Sequence, residues 1–317
     1  MGRILVVGSL NMDLVVHSPK VPAIGETLTG FGFMTCPGGK GGNQAVAAAR
    51  LGAEVRMLGC VGEDDFGETL LRGLEENGVD TRWVRRVPGV PTGTATIVVV
   101  EGDNCIVVDR GANDHVTPEL VEAAAESFRW AERLLVQLEI PMETVEAALK
   151  MALRHGLPVV LDPAPATPLP EWMLSMVEVF KPNEHECLVT TGLPADSPAD
   201  AAETVRALRQ RGVHRPMVTL GKEGVVYWSE EQGTAVHVPA YPAASVVDTT
   251  AAGDSFSGAL SVALTDGCPL DAAIRFASRV AAIVVSRPGA QPSLPWRREL
   301  EPEEGLPTAA EKERSRP

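Results

Sequence analysis

Ile4-Leu5-Val6-Val7-Gly8-Ser9-Leu10-Asn11-Met12-Asp13 begins as a short apolar run, stops at a glycine and passes into polar residues. Apolar residues without alternation predict a strand over residues 4–8 that is buried on both faces, as the central strands of a parallel sheet are. In open α/β sheets, ligands lie beyond the carboxyl ends of such strands. Asn11 and Asp13 alternate around Met12 and can face one direction. Turn chemistry alone also favours Asn and Asp, but their place after a central strand makes them candidate ligand contacts.

Outward from this strand, the texture repeats. Strands are predicted at Val55–Cys60, Leu134–Leu138, Val159–Asp162, Val177–Phe180, Met217–Leu220 and Val225–Trp228. Helices are predicted at Phe66–Asn77, Pro118–Phe128, Met142–His155 and Ala199–Arg211, and over 253–265 and 270–286. The alternation predicts an α/β fold: a mostly parallel central sheet with helices on both faces, Rossmann-like in its three layers. The polar strand ends Gln137-Leu138-Glu139, Asp162, Lys181-Pro182-Asn183-Glu184 and Thr219-Leu220-Gly221-Lys222 would line one edge of that sheet and describe a cleft. Two segments break the pattern. Residues 14–34 carry strand-like Leu14–Val16 and Thr27–Phe33 around a Pro/Gly loop, and residues 93–109 read as a hairpin turning at Glu101-Gly102-Asp103-Asn104. Together they predict a small projecting β-sheet, a lid whose exposed face needs a partner. The body is then 1–13, 35–92 and 110–300, the lid is 14–34 and 93–109, and the charged tail 301–317 is expected to be disordered.

A chain of 317 residues that is 44% apolar can bury a large core. Its formal charge of -14 argues against a nucleic-acid footprint. The five cysteines are scattered without a C-x-x-C pair, as reduced thiols are in the cytoplasm. No apolar run approaches the ~18 residues of a membrane span, so a cytoplasmic protein without membrane partners is expected.

Two glycine-rich helix starts carry the chemistry. Pro37-Gly38-Gly39-Lys40-Gly41-Gly42-Asn43-Gln44-Ala45 runs into a helix expected from Val46 to Leu51. It matches neither a Walker A loop nor G-x-G-x-x-G, and its glycines would admit a ligand close to the backbone. Asp248-Thr249-Thr250-Ala251-Ala252-Gly253-Asp254 opens the other helix. First-turn amides and the positive helix end make an anion site there, although a helix cap accounts for the two acids equally well. An esterase reading of Gly253-Asp254-Ser255 lacks a base, because no His follows His237. Phosphoryl transfer fits better, with amides of Ala251, Ala252 and Gly253 as an anion hole and Asp254 accepting a hydroxyl proton late in the step. A helix N-terminus should lower the pKa of Asp254.

With these residues assembled, the chain resembles the ribokinase family, within the superfamily of ATP-dependent sugar kinases. The resemblance rests on Gly39–Ala45 and Asp248–Asp254, supported by Gly8–Asp13, Gln137–Glu139, Asp162–Ala166, Pro182–Glu184 and Gly289–Ser293, and it spans nearly all of residues 4–296. It implies phosphorylation of the 5-hydroxyl of D-ribose by ATP. Asn11, Asp13, Gly39, Lys40, Gly41, Gly42, Asn43 and Glu139 would hold the sugar, with Asp254 as base. Asn183, Glu186, Thr219, Gly221, Lys222, Gly224, Ala252 and Gly253 would serve the nucleotide, Glu186 being linked to Mg2+ and phosphate. Asp248, Thr250, Val284, Arg287, Gly289 and Ser293 would surround a monovalent cation, usually K+. The lid is similar to the family's β-clasp, through which two subunits form a homodimer. Ala251 stands where many relatives have Gly, and an ordinary helical φ would tolerate its methyl. Relatives acting on deoxyribose, fructose or a nucleoside, or a non-catalytic sugar-binding regulator, are the alternatives.

Overall fold

In the computed structural model, which describes residues 1–101 and 103–300, the opening strand β1 (Arg3–Val7) is an interior strand of the larger of two sheets. Gly102 of the hairpin turn and the tail 301–317 lie outside the described residues. The remaining strands are β2 (Asn11–His17), β3 (Phe31–Gly38), β4 (Glu54–Gly62), β5 (Val79–Val87), β6 (Gly93–Val100), β7 (Asp103–Asp109), β8 (Arg133–Gln137), β9 (Val159–Asp162), β10 (Val179–Phe180), β11 (Arg215–Thr219), β12 (Val225–Ser229) and β13 (Thr234–Val238). The helices are α1 (Lys40–Arg50), α2 (Asp65–Glu76), α3 (Pro118–Ala123), α4 (Ala125–Trp130), α5 (Met142–Arg154), α6 (Glu171–Leu174), α7 (Glu184–Thr191), α8 (Pro198–Gln210), α9 (Ala252–Thr265) and α10 (Leu270–Val284).

Nine strands form the larger sheet in the order β13-β12-β11-β10-β9-β8-β1-β4-β5, parallel except where β12 and β13 join antiparallel. Alternate residues of β1 feed two different cores. Ile4 and Val6 pack with residues of α1, α2, α9 and α10, while Leu5 and Val7 pack with residues of α3, α5 and α8. A strand covered on both faces needs apolar residues on both, which explains its unbroken run. The strand order reverses at β1, between β8 and β4, so the crevice beyond its carboxyl end is the topological switch point. The α/β architecture expected from the sequence is present.

A four-stranded sheet, β3-β2-β6-β7, forms the second layer of structure. Its strands reach further than residues 14–34 and 93–109. β2 begins at Asn11, and β3 runs from Phe31 to Gly38, so 11–13 and 35–38 are sheet residues, whereas 27–30 are not in a strand. Other differences are local. α1 starts at Lys40 instead of Val46, and Pro118–Phe128 divides into α3 and α4 at Ala124. β10 is two residues long and begins at Val179, not Val177. The edge strand β5, hidden in the sequence by Asp80, Arg82, Arg85 and Arg86, was not expected; charges on an edge blunt further pairing.

Candidate active site

The carboxyl end of β1, the start of β2, the N-termini of α1 and α9 and the ends of β8 and β9 converge on one crevice. Period-2 geometry puts Asn11 and Asp13 on the same face of β2. Asn11 is fixed by Asn113, whose Nδ2 donates to Asn11 Oδ1 at 2.7 Å while its Oδ1 accepts the Leu10 amide at 2.8 Å. Glu139, just past β8, gathers the Ser9 hydroxyl, the Lys40 amide at 3.1 Å and Asn11 Nδ2 at 3.4 Å. Asn113 was not apparent as a site residue, since nothing local in its loop announces a partner a hundred residues away.

The glycines around Lys40 serve packing first. Gly39 has φ 81°, and a Cβ on it would stand 2.6 Å from the Asn11 amide nitrogen. A Cβ on Gly41 would stand 2.7 Å from the backbone of Gly8 and Ser9. These two positions let the first turn of α1 lie directly on the loop after β1, where Gly42 donates its amide to Ser9 O at 2.9 Å. Gly38 admits the Asp13 carboxylate, which comes within 2.3 Å of where a Cβ would be.

Asp13 is 7% exposed, and its carboxylate accepts no hydrogen bond among the described residues. Burial, then the charges of Glu139 and Asp254, push its carboxyl up to about 7. Nearby, Asn43 Oδ1 and Gln137 Oε1 are buried acceptors without partners among the described residues. Such groups are costly unless a ligand supplies donors. Lys40 balances the acids. Burial works against its charge, but Asp254, Asp162, Glu139 and Glu186 outweigh that and push its pKa upward.

Asp254 lies in the first turn of α9, and both carboxylate oxygens are held. Asn43 Nδ2 donates to Oδ2 at 2.9 Å and Gln44 Nε2 to Oδ1 at 3.0 Å. Its pKa is raised, not lowered as the helix end alone suggested. Burial is the largest cause and the Asp162 charge adds to it, against Lys40 and the two amides. A raised pKa suits an acid that must accept a proton. The Gly253 and Asp254 amides make no hydrogen bond among the described residues, so they remain available to an anion, whereas the Ala252 amide is bonded to Thr249 O at 3.2 Å. Ala251 is the N-cap at φ 60°, ψ 8°. The ordinary helical φ expected there is therefore corrected: the turn into α9 demands a left-handed residue, and the methyl is borne at a cost of about 1–2 kcal/mol.

The expected nucleotide residues form a second group. Asn183 and Glu186 make a reciprocal capping box at the start of α7, with amide-to-side-chain distances of 2.8 Å in both directions. Burial and the Asp162 charge raise the Glu186 pKa. Asn183 bridges to Thr219 at the end of β11. Gly221, Lys222 and Gly224 occupy the turn to β12, with Lys222 exposed. Among the described residues, Thr219, Gly221, Lys222 and Gly224 make no hydrogen bond to Asp254, Asn43 or Gln44, and the buried Ser278 hydroxyl on α10 has no partner.

Asp248 joins two loops. Its Oδ1 accepts the Thr250 amide at 2.9 Å and its Oδ2 the Gly289 amide at 2.8 Å. Burial opposes its ionisation, but these hydrogen bonds win and hold its carboxyl below the usual range. Arg287 spans the same loop, donating to Ser293 O at 3.4 Å and taking the Val284 carbonyl with its amide at 3.0 Å. Arg50 on α1 clamps the loop by donating to Gln291 O at 2.8 Å and Leu294 O at 2.6 Å. Among the described residues, no cluster of three or more His, Cys, Asp or Glu side chains is arranged around a metal; carbonyl oxygens would have to supply most ligands here.

Comparison with known proteins agrees with this geometry. Residues 1–297 match the model of the pfkB family carbohydrate kinases. The chain is 44% identical to the ribokinase of Bacillus subtilis over 301 residues, covering 95% of this chain and 99% of that one. It is 38% identical to the deoxyribokinase of Salmonella typhi, covering 92% and 95%. Among solved structures it is similar to Arabidopsis thaliana ribokinase complexed with ribose and ATP, with a TM-score of 0.87, 34% identity and coverage of 94% and 97%.

Proposed function

The chain belongs to the pfkB family of carbohydrate kinases, and from that premise we propose that it transfers the γ-phosphoryl group of ATP to the 5-hydroxyl of D-ribose, giving ribose 5-phosphate and ADP. The observation that carries the ribose reading is the set of unpartnered acceptors: the Asp13 carboxylate, Asn43 Oδ1 and Gln137 Oε1. They call for a ligand rich in O–H donors and poor in negative charge, which a free sugar is and a sugar phosphate is not. Asn11, Asp13, Asn43 and Glu139 hold the hydroxyls, and Gly39, Lys40, Gly41 and Gly42 shape the floor beneath them. Asp254 orients the 5-hydroxyl and accepts its proton as the new P–O bond forms and the bond to ADP breaks. The Gly253 and Asp254 amides, with the first turn of α9 from Ala251 and Ala252, stabilise the charge on the transferring group.

Asn183, Glu186, Thr219, Gly221, Lys222 and Gly224 serve the nucleotide. Glu186 keeps one oxygen in the capping box and would hold Mg2+ with the other, where the ion would supply charge neutralisation for the phosphates. Asp248, held ionised, and the carbonyls of Thr250, Val284, Arg287, Gly289 and Ser293 suit K+, a hard cation that takes oxygen ligands. All five cysteines are free thiols, which supports a reducing cytoplasmic setting. Among the described residues, no helix is long and apolar enough to cross a membrane.

Asp254→Asn tests the assignment of the base. It is expected to lower kcat by at least ~10²-fold with ribose binding largely retained; near-normal turnover would refute it. The second reading is a deoxyribokinase, favoured by the 38% identity to that enzyme. A substrate panel separates the two.

A further inference from the structure

Three buried groups beside Asp254 have no part in the mechanism so far: Asp162 at the end of β9, Lys181 just past β10, and Gln44 on α1. Gln44 is locked on every polar atom. Its Oε1 accepts from Gln137 Nε2 at 2.6 Å, and its Nε2 donates to Asp162 Oδ2 at 2.9 Å and Asp254 Oδ1 at 3.0 Å. Asp162 Oδ2 also accepts from Ser257 Oγ at 2.9 Å, while Asp162 Oδ1 lies 3.2 Å from the Lys181 ammonium. Both partners of that ion pair are almost fully buried, at 3% and 4% side-chain exposure. Lys181 Nζ is also 3.5 Å from Gly253 O, at the helix end that would face the transferring phosphoryl group.

A buried ion pair is weak evidence for stability, because desolvation cancels much of the attraction. Its placement suggests another use. We propose that Asp162 and Lys181 are positioning residues for phosphoryl transfer: through the Gln44 bridge, Asp162 fixes the orientation of the Asp254 carboxylate and sustains its basicity, and Lys181 trims that effect by neutralising Asp162. The inference rests on Asp254 being the base. Other charged groups acting on Asp254 are Lys40 on α1 and Asp13 on β2, and Glu139 after β8 and Glu186 on α7 act in turn on Lys40. They are unaltered in the variants below, so their influence is constant.

The two partners act on Asp254 with opposite signs, which gives a signature that a purely structural pair lacks. In single-turnover phosphoryl transfer measured against pH, Asp162→Asn removes an anion and leaves Lys181 uncompensated. The acid limb should move down by about one unit, and the plateau rate should fall by about tenfold as the bridge loosens. Lys181→Met leaves Asp162 uncompensated, and the acid limb should move up. The double variant should return the limb to within about 0.3 units of the starting value. Limbs unmoved in both single variants, or moved in the same direction, would overturn the proposal. If the single variants do not fold, Gln44→Met keeps the ion pair and removes the bridge; a drop of about tenfold in kcat with sugar KM within about twofold is expected, and unchanged kcat would overturn it. If Asp254→Asn itself retains turnover, the base assignment fails; if that variant is inactive and the pair variants leave the limb in place, only the positioning inference fails.

Discussion

At the scale of single residues, the site keeps two positions at a cost. The Asp13 carboxylate is buried without a hydrogen bond among the described residues, and burial, then the charges of Glu139 and Asp254, push it up to about 7 from 3.8 in an ordinary setting. The folded state therefore holds this proton between those values while the unfolded chain has lost it. Asp13 thus reduces stability as pH rises from about 4 to 7, and the full penalty, on the order of 4 kcal/mol by linkage, is present above 7. Asp13→Asn should raise the thermal midpoint of the ligand-free protein at pH 8, raise it by less at pH 5, and weaken sugar binding at both. An equal shift at the two pH values would contradict the titration. Ala251 is the second costly position, at φ 60°. Ala251→Gly should relieve strain, and after the extra chain entropy of glycine the net gain is about 0.5–1 kcal/mol, readable by denaturant midpoint. A destabilised variant would show that the methyl contributes packing that outweighs the strain.

At the scale of elements, α1 connects the sugar floor to the proposed cation loop. Its first turn carries Lys40 to Asn43, and its last residue, Arg50, binds the carbonyls of Gln291 and Leu294. Arg50→Ala should loosen that loop and raise the K+ concentration for half-maximal activation several-fold, as should Asp248→Ala. Activation curves that superimpose on the parent would remove the cation assignment. The elements also show what could be read without coordinates. β1, β9 and α5 were legible because buried strands and an amphipathic helix write their period into adjacent residues, and Val159–Asp162 matches residue for residue. α1 was read six residues late, because Gly41 and Gly42 disfavour helix locally and are kept for their close approach to Gly8 and Ser9. Asp254, Asn43 and Glu139 stood out by motif. The links from Gln44 to Asp162, from Asp162 to Lys181 and from Asn113 to Asn11 did not, since they depend on which strands and loops are neighbours in space, which no local pattern encodes.

For the whole molecule, the smaller sheet leaves a question of covering. Phe31, Phe33, Met34, Ile106, Val107 and Val108 are exposed on its two edge strands, β3 and β7. Such a patch on paired edges suits a second copy of the same chain. Replacing Phe33 and Val107 by Asp should convert a dimer to a monomer in light scattering; a parent protein that is already monomeric at micromolar concentration would refute the clasp as the dimer interface. The smaller sheet includes β2, the strand that carries Asn11 and Asp13, so a dimer formed through its edge strands would sit one strand away from the sugar site. Ribose as the acceptor is the claim that binds these scales together. Its most direct test is kcat/KM for ribose, 2-deoxyribose, fructose and a nucleoside, each with ATP and Mg2+, with and without K+. The account predicts the highest value for ribose, with ADP released in step with ribose 5-phosphate; a higher value for any of the other three would contradict it.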